Sequence, residues 1–248
     1  MKIAIVSPSR KRPKELLRFY NSVCETVNGN YEIDFLVGID DDDPTVLDYY
    51  DIFHSMVKHK IPKVNVLLYQ DRLPSVGHIW NALVNIRPER TRADIFIMAN
   101  DDLVYDTYAW DDLLVAKVKS LDHPYHVLWF NDKHNEANHC AFPIVTKQWI
   151  SAIGYFTPEC FQFFYHDTWV FDVAKRAEVE VYMPDVTIQH LHFAFGTAPY
   201  DNTYGINRDN GQNTSDNLIY KQLHLARESE AKKILQEIEN YKTKKHSI

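Results

Sequence analysis

The stretch Ala93-Asp94-Ile95-Phe96-Ile97-Met98-Ala99-Asn100-Asp101-Asp102 limits what this chain can fold into more than any other. Five apolar residues run unbroken from Ile95 to Ala99, and two adjacent carboxylates follow Asn100. A strand with one wet face alternates, so a short unbroken apolar run predicts a strand buried on both faces, as in a parallel sheet. Carboxylates just past its end then stand at the carboxyl edge of that sheet, where open α/β folds bind ligands. Hard oxygen donors on a rigid strand end suit Mg²⁺ or Mn²⁺ carrying a phosphorylated substrate. Asn and Asp are also ordinary turn residues, and a solvated turn is the plainer reading of the same letters.

The preceding residues favour the sheet. Ile3 to Val6 predicts a strand that ends in a cationic loop, Arg10-Lys11-Arg12. Pro13 then fits the first turn of a helix carrying Leu16, Leu17, Tyr20, Val23, Cys24 and Val27 at helical spacing. Phe35 to Ile39 predicts a second strand, ending in Asp40 to Asp43, and Pro44 opens a helix with Val46, Leu47, Tyr50, Phe53 and Val57 on one face. Val64 to Tyr69 predicts a third strand, and Ser75-Val76-Gly77-His78 introduces a helix with Ile79, Leu83 and Ile86. Strand and helix thus alternate three times before the strand at Ile95. That order predicts a mostly parallel sheet with right-handed crossovers, whose polar loops gather on one edge.

Beyond Asp102 the pattern becomes mixed. A helix is expected near Trp110 to Val118, strands at His126–Phe130 and Cys140–Val145, and a short helix from Trp149 to Ile153. The aromatic run Phe161 to Trp169 leads into a helix, and two strands are expected at Glu178–Met183 and Val186–Phe193. The Gly-, Asn- and Thr-rich stretch 196–215 reads as a mobile loop, followed by one long amphipathic helix from Leu218 to Tyr241 and a frayed basic tail.

Composition narrows the partners. Three widely spaced cysteines form no CxxC pair, which argues against a disulfide framework or a thiolate zinc site and for a reducing, cytoplasmic setting. The first apolar run is too short for a signal peptide, and no 18-residue apolar run predicts a transmembrane segment. A net charge of −7 offers no global field for nucleic acid or anionic membrane. GxGxxG, GxxxxGK[ST] and GxSxG are all missing, against a dinucleotide site, a P-loop and an α/β-hydrolase elbow.

Four groups of residues can carry chemistry. Asp101 and Asp102 can hold a divalent ion that neutralises a diphosphate. His190 and His192, one residue apart on a strand, point to one face and suit Mn²⁺ better than Mg²⁺. Isolated, such a pair is more often two surface histidines, and the chain has 12. Asp167, at a helix start, is either an N-cap or a general base for an acceptor hydroxyl, and one residue can be both. Arg10 and Arg12 can meet phosphates, while Asp40 to Asp43 can meet a nucleobase or ribose or simply cap the helix at Pro44.

In this order the pieces resemble the GT-A glycosyltransferases, particularly the family-2-like nucleotide-sugar enzymes, over roughly the first 195 residues. Ile3 to Arg10, with Arg12-Pro13, is similar to their opening strand, loop and helix start. Leu36 to Asp41 is similar to the second strand, and Ser75-Val76-Gly77 through Asn81-Ala82 to the helix before the metal strand. Asn100-Asp101-Asp102 stands at their DxD motif, Ile153-Gly154-Tyr155-Phe156 and His166-Asp167 at two acceptor-side elements, and Ile188 to His192 at a late metal-binding histidine.

The resemblance implies a GT-A domain over 1–215, with a nucleotide-binding half (1–102), an acceptor half (103–195) and the loop 196–215. The segment 216–248 is left as a C-terminal helix and tail. It implies a nucleotide-sugar donor, a UDP-sugar in the first place, bound by Pro8, Ser9, Arg10, Arg12, Asp40, Asp42, Gly77, Asn81, Asn100 and Asp101. It implies Mn²⁺ or Mg²⁺ on Asp102, His190 and His192, and transfer with inversion using Asp167 as base. The acceptor is a glycan, a lipid-linked sugar or, as in phage-type enzymes, a hydroxymethylated DNA base stacked on the aromatics of 161–169. Two positions depart from the family: Asn100 opens the DxD position, which makes Asp102 the surest ligand, and His166 replaces the first acid of the later pair. Rival readings are a nucleotidyltransferase, which wants a glycine in the first loop, and a non-catalytic nucleotide- or carbohydrate-binding module.

Overall fold

A computed structural model of the chain describes residues 1–58, 64–85, 93–200, 205 and 212–246. Its strands are β1 (Lys2–Ser9), β2 (Glu32–Ile39), β3 (Val64–Gln70), β4 (Ile95–Met98), β5 (Leu103–Tyr105), β6 (Val127–Asn131), β7 (Ile144–Thr146) and β8 (Glu180–His190). The helices are α1 (Pro13–Thr26), α2 (Val46–Lys58), α3 (Val76–Val84), α4 (Trp110–Ser120), α5 (Lys147–Ile153), α6 (His166–Arg176), α7 (Gln212–Gln222) and α8 (His224–His246). A 3₁₀ turn covers Phe193–Phe195.

The strands form one sheet in the order β3-β2-β1-β4-β7-β6-β8-β5. β1 pairs in parallel with β2 and β4, β2 with β3, and β6 with β8. β7 runs antiparallel to both of its neighbours, and β5 antiparallel to β8. The first half is therefore the parallel α/β unit expected from the sequence, and the second half is mixed. Alternate residues of β1 feed opposite cores. Ile3 and Ile5 join α1, α2 and α4, whereas Ala4 and Val6 join α3, α5, α6 and α8. Burial on both faces is why these strands lack a polar alternation.

Five local expectations need correction. On α2 the buried face is Tyr49, Phe53 and Met56, whereas Leu47, Tyr50 and Val57 are exposed; two apolar stripes compete on that helix and the packed one lies a residue away from the predicted one. β5 was not expected, because three residues are too short to show a period. Glu180–His190 is one strand rather than two. Its register slips between Phe130↔Met183 and Asn131↔Thr187, and the irregularity holds Pro184, a residue that cannot donate to a ladder. The C-terminal helix is two helices broken at Leu223, and the first begins at Gln212 inside the expected loop. The basic tail is helical to His246 rather than frayed. Ile86 and half of the expected loop, 201–204 and 206–211, lie outside the described residues.

α8 is tied to α6 and to the segment just after α5 by polar contacts. Glu230 accepts from Trp169 Nε1 at 2.8 Å and from the Tyr155 hydroxyl, and Arg227 Nε donates to Asp172 at 2.5 Å. No helix among the described residues is long and apolar enough to cross a membrane.

Candidate active site at the end of β4

β4 delivers Asp101 and Asp102 into the turn before β5, and both are buried. The β5–β8 register places Leu103 opposite His190, and Leu191 N donates to the Asp102 carbonyl at 2.9 Å. That pairing brings His190 Nε2 to 3.6 Å from Asp102 Oδ2. A three-residue strand thus joins residues 88 positions apart. His190 Nδ1 is buried with no hydrogen-bond partner among the described residues. The His192 ring lies 5.4 Å from that of His190, and its Nδ1 accepts from Ala194 N at 3.1 Å, capping the 3₁₀ turn.

Asp101 has both oxygens engaged. Ser9 Oγ donates to Oδ2 at 2.7 Å, and Arg12 Nη1 to Oδ1 at 3.3 Å. The same Nη1 stands 3.7 Å from Asp102 Oδ2, so one buried guanidinium serves both acids. Tyr49 orders this corner: its hydroxyl lies 2.7 Å from Ser9 Oγ and accepts from Arg12 N at 3.1 Å. Burial, and then the charge of Asp102, push the Asp101 carboxyl up to about 7. Burial opposes ionisation of Asp102 too, but His190, Arg12 and His192 outweigh it and hold its carboxyl below the usual value. Of the two acids, Asp102 is the one whose charge its neighbours favour, and it faces the histidines.

Asp167 lies in the first turn of α6. His139 Nε2 is 2.9 Å from its Oδ2. His139 closes a loop built on Asp132, whose Oδ1 accepts from the amides of His134, Asn135 and Glu136 at 3.0, 2.7 and 3.2 Å. The other end of that loop puts the His134 ring on Phe195 at 3.8 Å and 6.5 Å from His190. One loop therefore touches both the histidine beside Asp102 and the acid on α6.

The remaining predicted residues have the following places. Arg10 Nη1 pairs with Asp40 and, at 2.6 Å, with Asp42, so the cationic and acidic loops neutralise one another. Arg72 adds a second cation to Asp42. The Asn81 amide holds the 156–159 loop: Oδ1 accepts from Phe156 N and Thr157 N at 3.0 and 3.1 Å, and Nδ2 donates to Thr157 O at 2.8 Å. Gly77 is a point of close approach, where a Cβ would sit 2.6 Å from His166 Cε1 and 2.9 Å from Pro158 O. Pro8 and Asn100 are half-buried at the strand ends. Phe161, His166 and Trp169 are core, and of the aromatics between 161 and 169 only Phe163 is exposed. Phe164 and Tyr165 are half-buried. The backbone of this stretch hangs on Asp216, which accepts from the amides of Gln162, Phe163 and Phe164 at 3.0, 3.0 and 2.9 Å.

Tyr49, His134, His139 and Asp216 were missed from the sequence. Tyr49 left a trace, the spacing Tyr49–Phe53–Met56, but the two histidines sit in an irregular polar stretch that carries no period.

No family model matches the sequence, and no curated protein matches it by sequence. Solved structures match by fold. TarS of S. aureus superposes with a TM-score of 0.55 at 12% identity, over 75% of this chain and 36% of that one. Mannosyltransferase PcManGT from Pyrobaculum calidifontis, in complex with GDP-Man and Mn²⁺, gives 0.56 at 12%, over 77% and 57%. GalNAc-T7 with UDP, GalNAc and Mn²⁺ gives 0.55 at 11%, over 77% and 44%. The shared feature at such identities is the GT-A fold. This chain spans between 36% and 57% of the length of these neighbours.

Proposed function

We propose that this chain is a glycosyltransferase that moves a sugar from a nucleotide-sugar donor to an acceptor hydroxyl with the help of a divalent cation. The observation that carries the reading is the pairing of buried Asp102 with His190 at the carboxyl end of β4. Neighbours of the same fold are described with Mn²⁺ and with UDP or GDP-Man.

The residues present fit such a cation. Asp102 offers a buried anionic oxygen, and His190 has a ring nitrogen 3.6 Å from it. His192, on the same strand end, is the third candidate, although its donor atom and theirs do not close into a cluster within 4.8 Å in this structure. One carboxylate with imidazole nitrogens suits Mn²⁺ better than Mg²⁺. When bound, the ion would offset the charge that builds on the departing diphosphate. Asp101, locked by Ser9 and Arg12, fixes the turn from which Asp102 projects.

Asp167 acts as the base. It takes the proton of the acceptor hydroxyl while the acceptor oxygen bonds to the anomeric carbon. The bond from that carbon to the diphosphate oxygen breaks, and its electron pair leaves with the diphosphate. A direct displacement of this kind inverts the anomeric centre. His139 keeps the carboxylate in place.

Calorimetry with UDP and GDP, with and without Mn²⁺, followed by a panel of nucleotide sugars scored by diphosphate release, tests the reading. Mn²⁺-dependent nucleotide binding with release from one donor is expected. Nucleotide binding with no release from any donor, with or without candidate acceptors, would leave a binding module instead.

A further inference from the structure

A second group of metal-ligating side chains lies at the opposite edge of the sheet. Asp122, His123 and His126 sit between α4 and β6, and one ligand atom from each falls within 4.8 Å of the others. β4 and β6 are both antiparallel to β7, so they run the same way. Residues just before Val127 therefore stand at the amino edge, whereas Asp102 stands at the carboxyl edge. Thr146, which pairs with Ile95 at the start of β4, donates to Pro124 O and fixes the turn there.

We propose that Asp122, His123 and His126 form a binding site for a borderline divalent transition metal of the Zn²⁺ type. His126 is the firmest ligand. Its Nδ1 lies 3.2 Å from Val179 O, a carbonyl that can only accept, so the proton belongs on Nδ1. The Nε2 lone pair then faces Asp122 Oδ1 at 3.2 Å. Only a second ring proton or a cation can join two acceptors at that distance, and a metal ion can take the proton's place. His123 Nε2 is 3.6 Å from the same oxygen, and its ring stacks on that of His126 with centroids 4.1 Å apart and planes 2° apart. To bind fully, His123 gives up the 3.3 Å contact from Tyr125 N and tilts off the stack. The set of two imidazoles and one carboxylate matches zinc, with solvent completing a tetrahedron.

The site is coupled to the C-terminal helix. Lys242 Nζ of α8 stands 3.9 Å from Asp122 Oδ2, and the hydroxyl of Tyr125, between the two histidines, donates to Glu237 at 3.4 Å. An ion on Asp122 would compete with Lys242 while stiffening the turn on which α8 ends.

The experiment titrates Zn²⁺ into the full chain, stripped by chelator, by calorimetry and by thermal unfolding. Asp102→Asn serves as the background, which removes the strand-end acid, so the result does not depend on the proposed transferase chemistry. One Zn²⁺ per chain and a raised melting temperature are expected in that background. Adding His126→Ala should weaken binding tenfold or more and abolish the thermal shift. Asp122→Asn, at an exposed position that cannot unfold the chain, should weaken it similarly. His54→Ala, an exposed histidine elsewhere, should change nothing. Equal Zn²⁺ affinity with and without His126 and Asp122, or no binding in the background chain, overturns the site.

Discussion

His139 Nε2 stands 2.9 Å from Asp167 Oδ2, so a histidine 28 residues upstream holds the carboxylate at the head of α6. The hydrogen bond to Asp167, against the effect of burial, lifts the His139 pKa above its ordinary 6.5. While the ring is charged it locks the carboxylate in an ion pair, and when it loses one proton the neutral ring still orients the carboxylate through Nε2–H but leaves its charge to draw the acceptor's proton. Activity should therefore rise with pH through a midpoint above 6.5. His139→Gln should move that limb to lower pH and lower kcat by roughly tenfold, and Asp167→Asn should lower kcat by about 10²–10⁴. The same shift stabilises the fold below pH 6.5 and is lost as pH rises through the raised value. A pH–rate limb that stays put in His139→Gln would remove the coupling.

The division of labour between the two acids predicts different phenotypes. Asp102→Asn should abolish Mn²⁺-dependent nucleotide binding, because it removes the anionic oxygen that faces His190 at the strand end, and it should cost some stability because His190 and Arg12 favour that charge. Asp101→Asn should retain measurable Mn²⁺ dependence but lower the melting temperature, because the bond from Ser9 at 2.7 Å and the Arg12 pairing hold the turn. Nucleotide titrations with and without Mn²⁺, alongside thermal unfolding, separate the two. Identical behaviour of both variants would contradict the assignment.

The parallel half of the fold was legible because its strands are buried on both faces and read as apolar runs, and because Asp101 and Asp102 follow one of them directly. The site's other half depends on long-range pairing. His190 reaches Asp102 through the antiparallel β5–β8 ladder, and β5 has no period to show. Tyr49 was hidden by a competing stripe on α2. Asn81 and Gly77 carry the letters expected of a donor-binding helix, but nothing in those letters tells that the 156–159 loop and His166 pack against them. Spacing along the chain gives residue type and face; it does not say which loop arrives from across the sheet.

Arg12 is buried between two acids, so its removal should cost more than loss of a surface pair. Arg12→Ala leaves Asp101 and Asp102 facing each other without their guanidinium. The expected loss is about 3–5 kcal/mol, a fall in melting temperature of roughly 10 °C. Arg12→Lys keeps the charge but not the planar fork and should lose less. Added Mn²⁺ should return part of the stability of Arg12→Ala by neutralising Asp102, which thermal unfolding with and without the ion will read directly.

His166 should make the fold acid-labile. Burial lowers its pKa from 6.5 to about 4, and its Nδ1 lies 3.0 Å from Thr157 Oγ1. A depressed folded-state value means that the stabilisation is complete above the unfolded value and is lost as pH falls toward the folded one. The window is therefore from 6.5 down to about 4, with as much as about 3 kcal/mol at stake. Denaturant unfolding at a series of pH values should show that slope, and His166→Gln should flatten it. An unchanged slope would place the acid lability elsewhere.

Gly77 predicts a steric loss at the same junction. A Cβ there would meet His166 Cε1 at 2.6 Å and Pro158 O at 2.9 Å, and the second atom is backbone that cannot swing aside. Gly77 has no positive φ, and alanine is the better helix former by about 1 kcal/mol, so propensity alone favours Gly77→Ala. Overpacking of a filled site costs about 1–3 kcal/mol, and here the clash wins because Asn81 anchors the 156–159 loop one turn away. Gly77→Ala should lower stability by about 1–2 kcal/mol. Pairing it with His166→Ala, which removes the nearer obstacle, should recover part of that loss. A double-mutant cycle with no coupling between the two positions would show that Pro158 alone sets the limit.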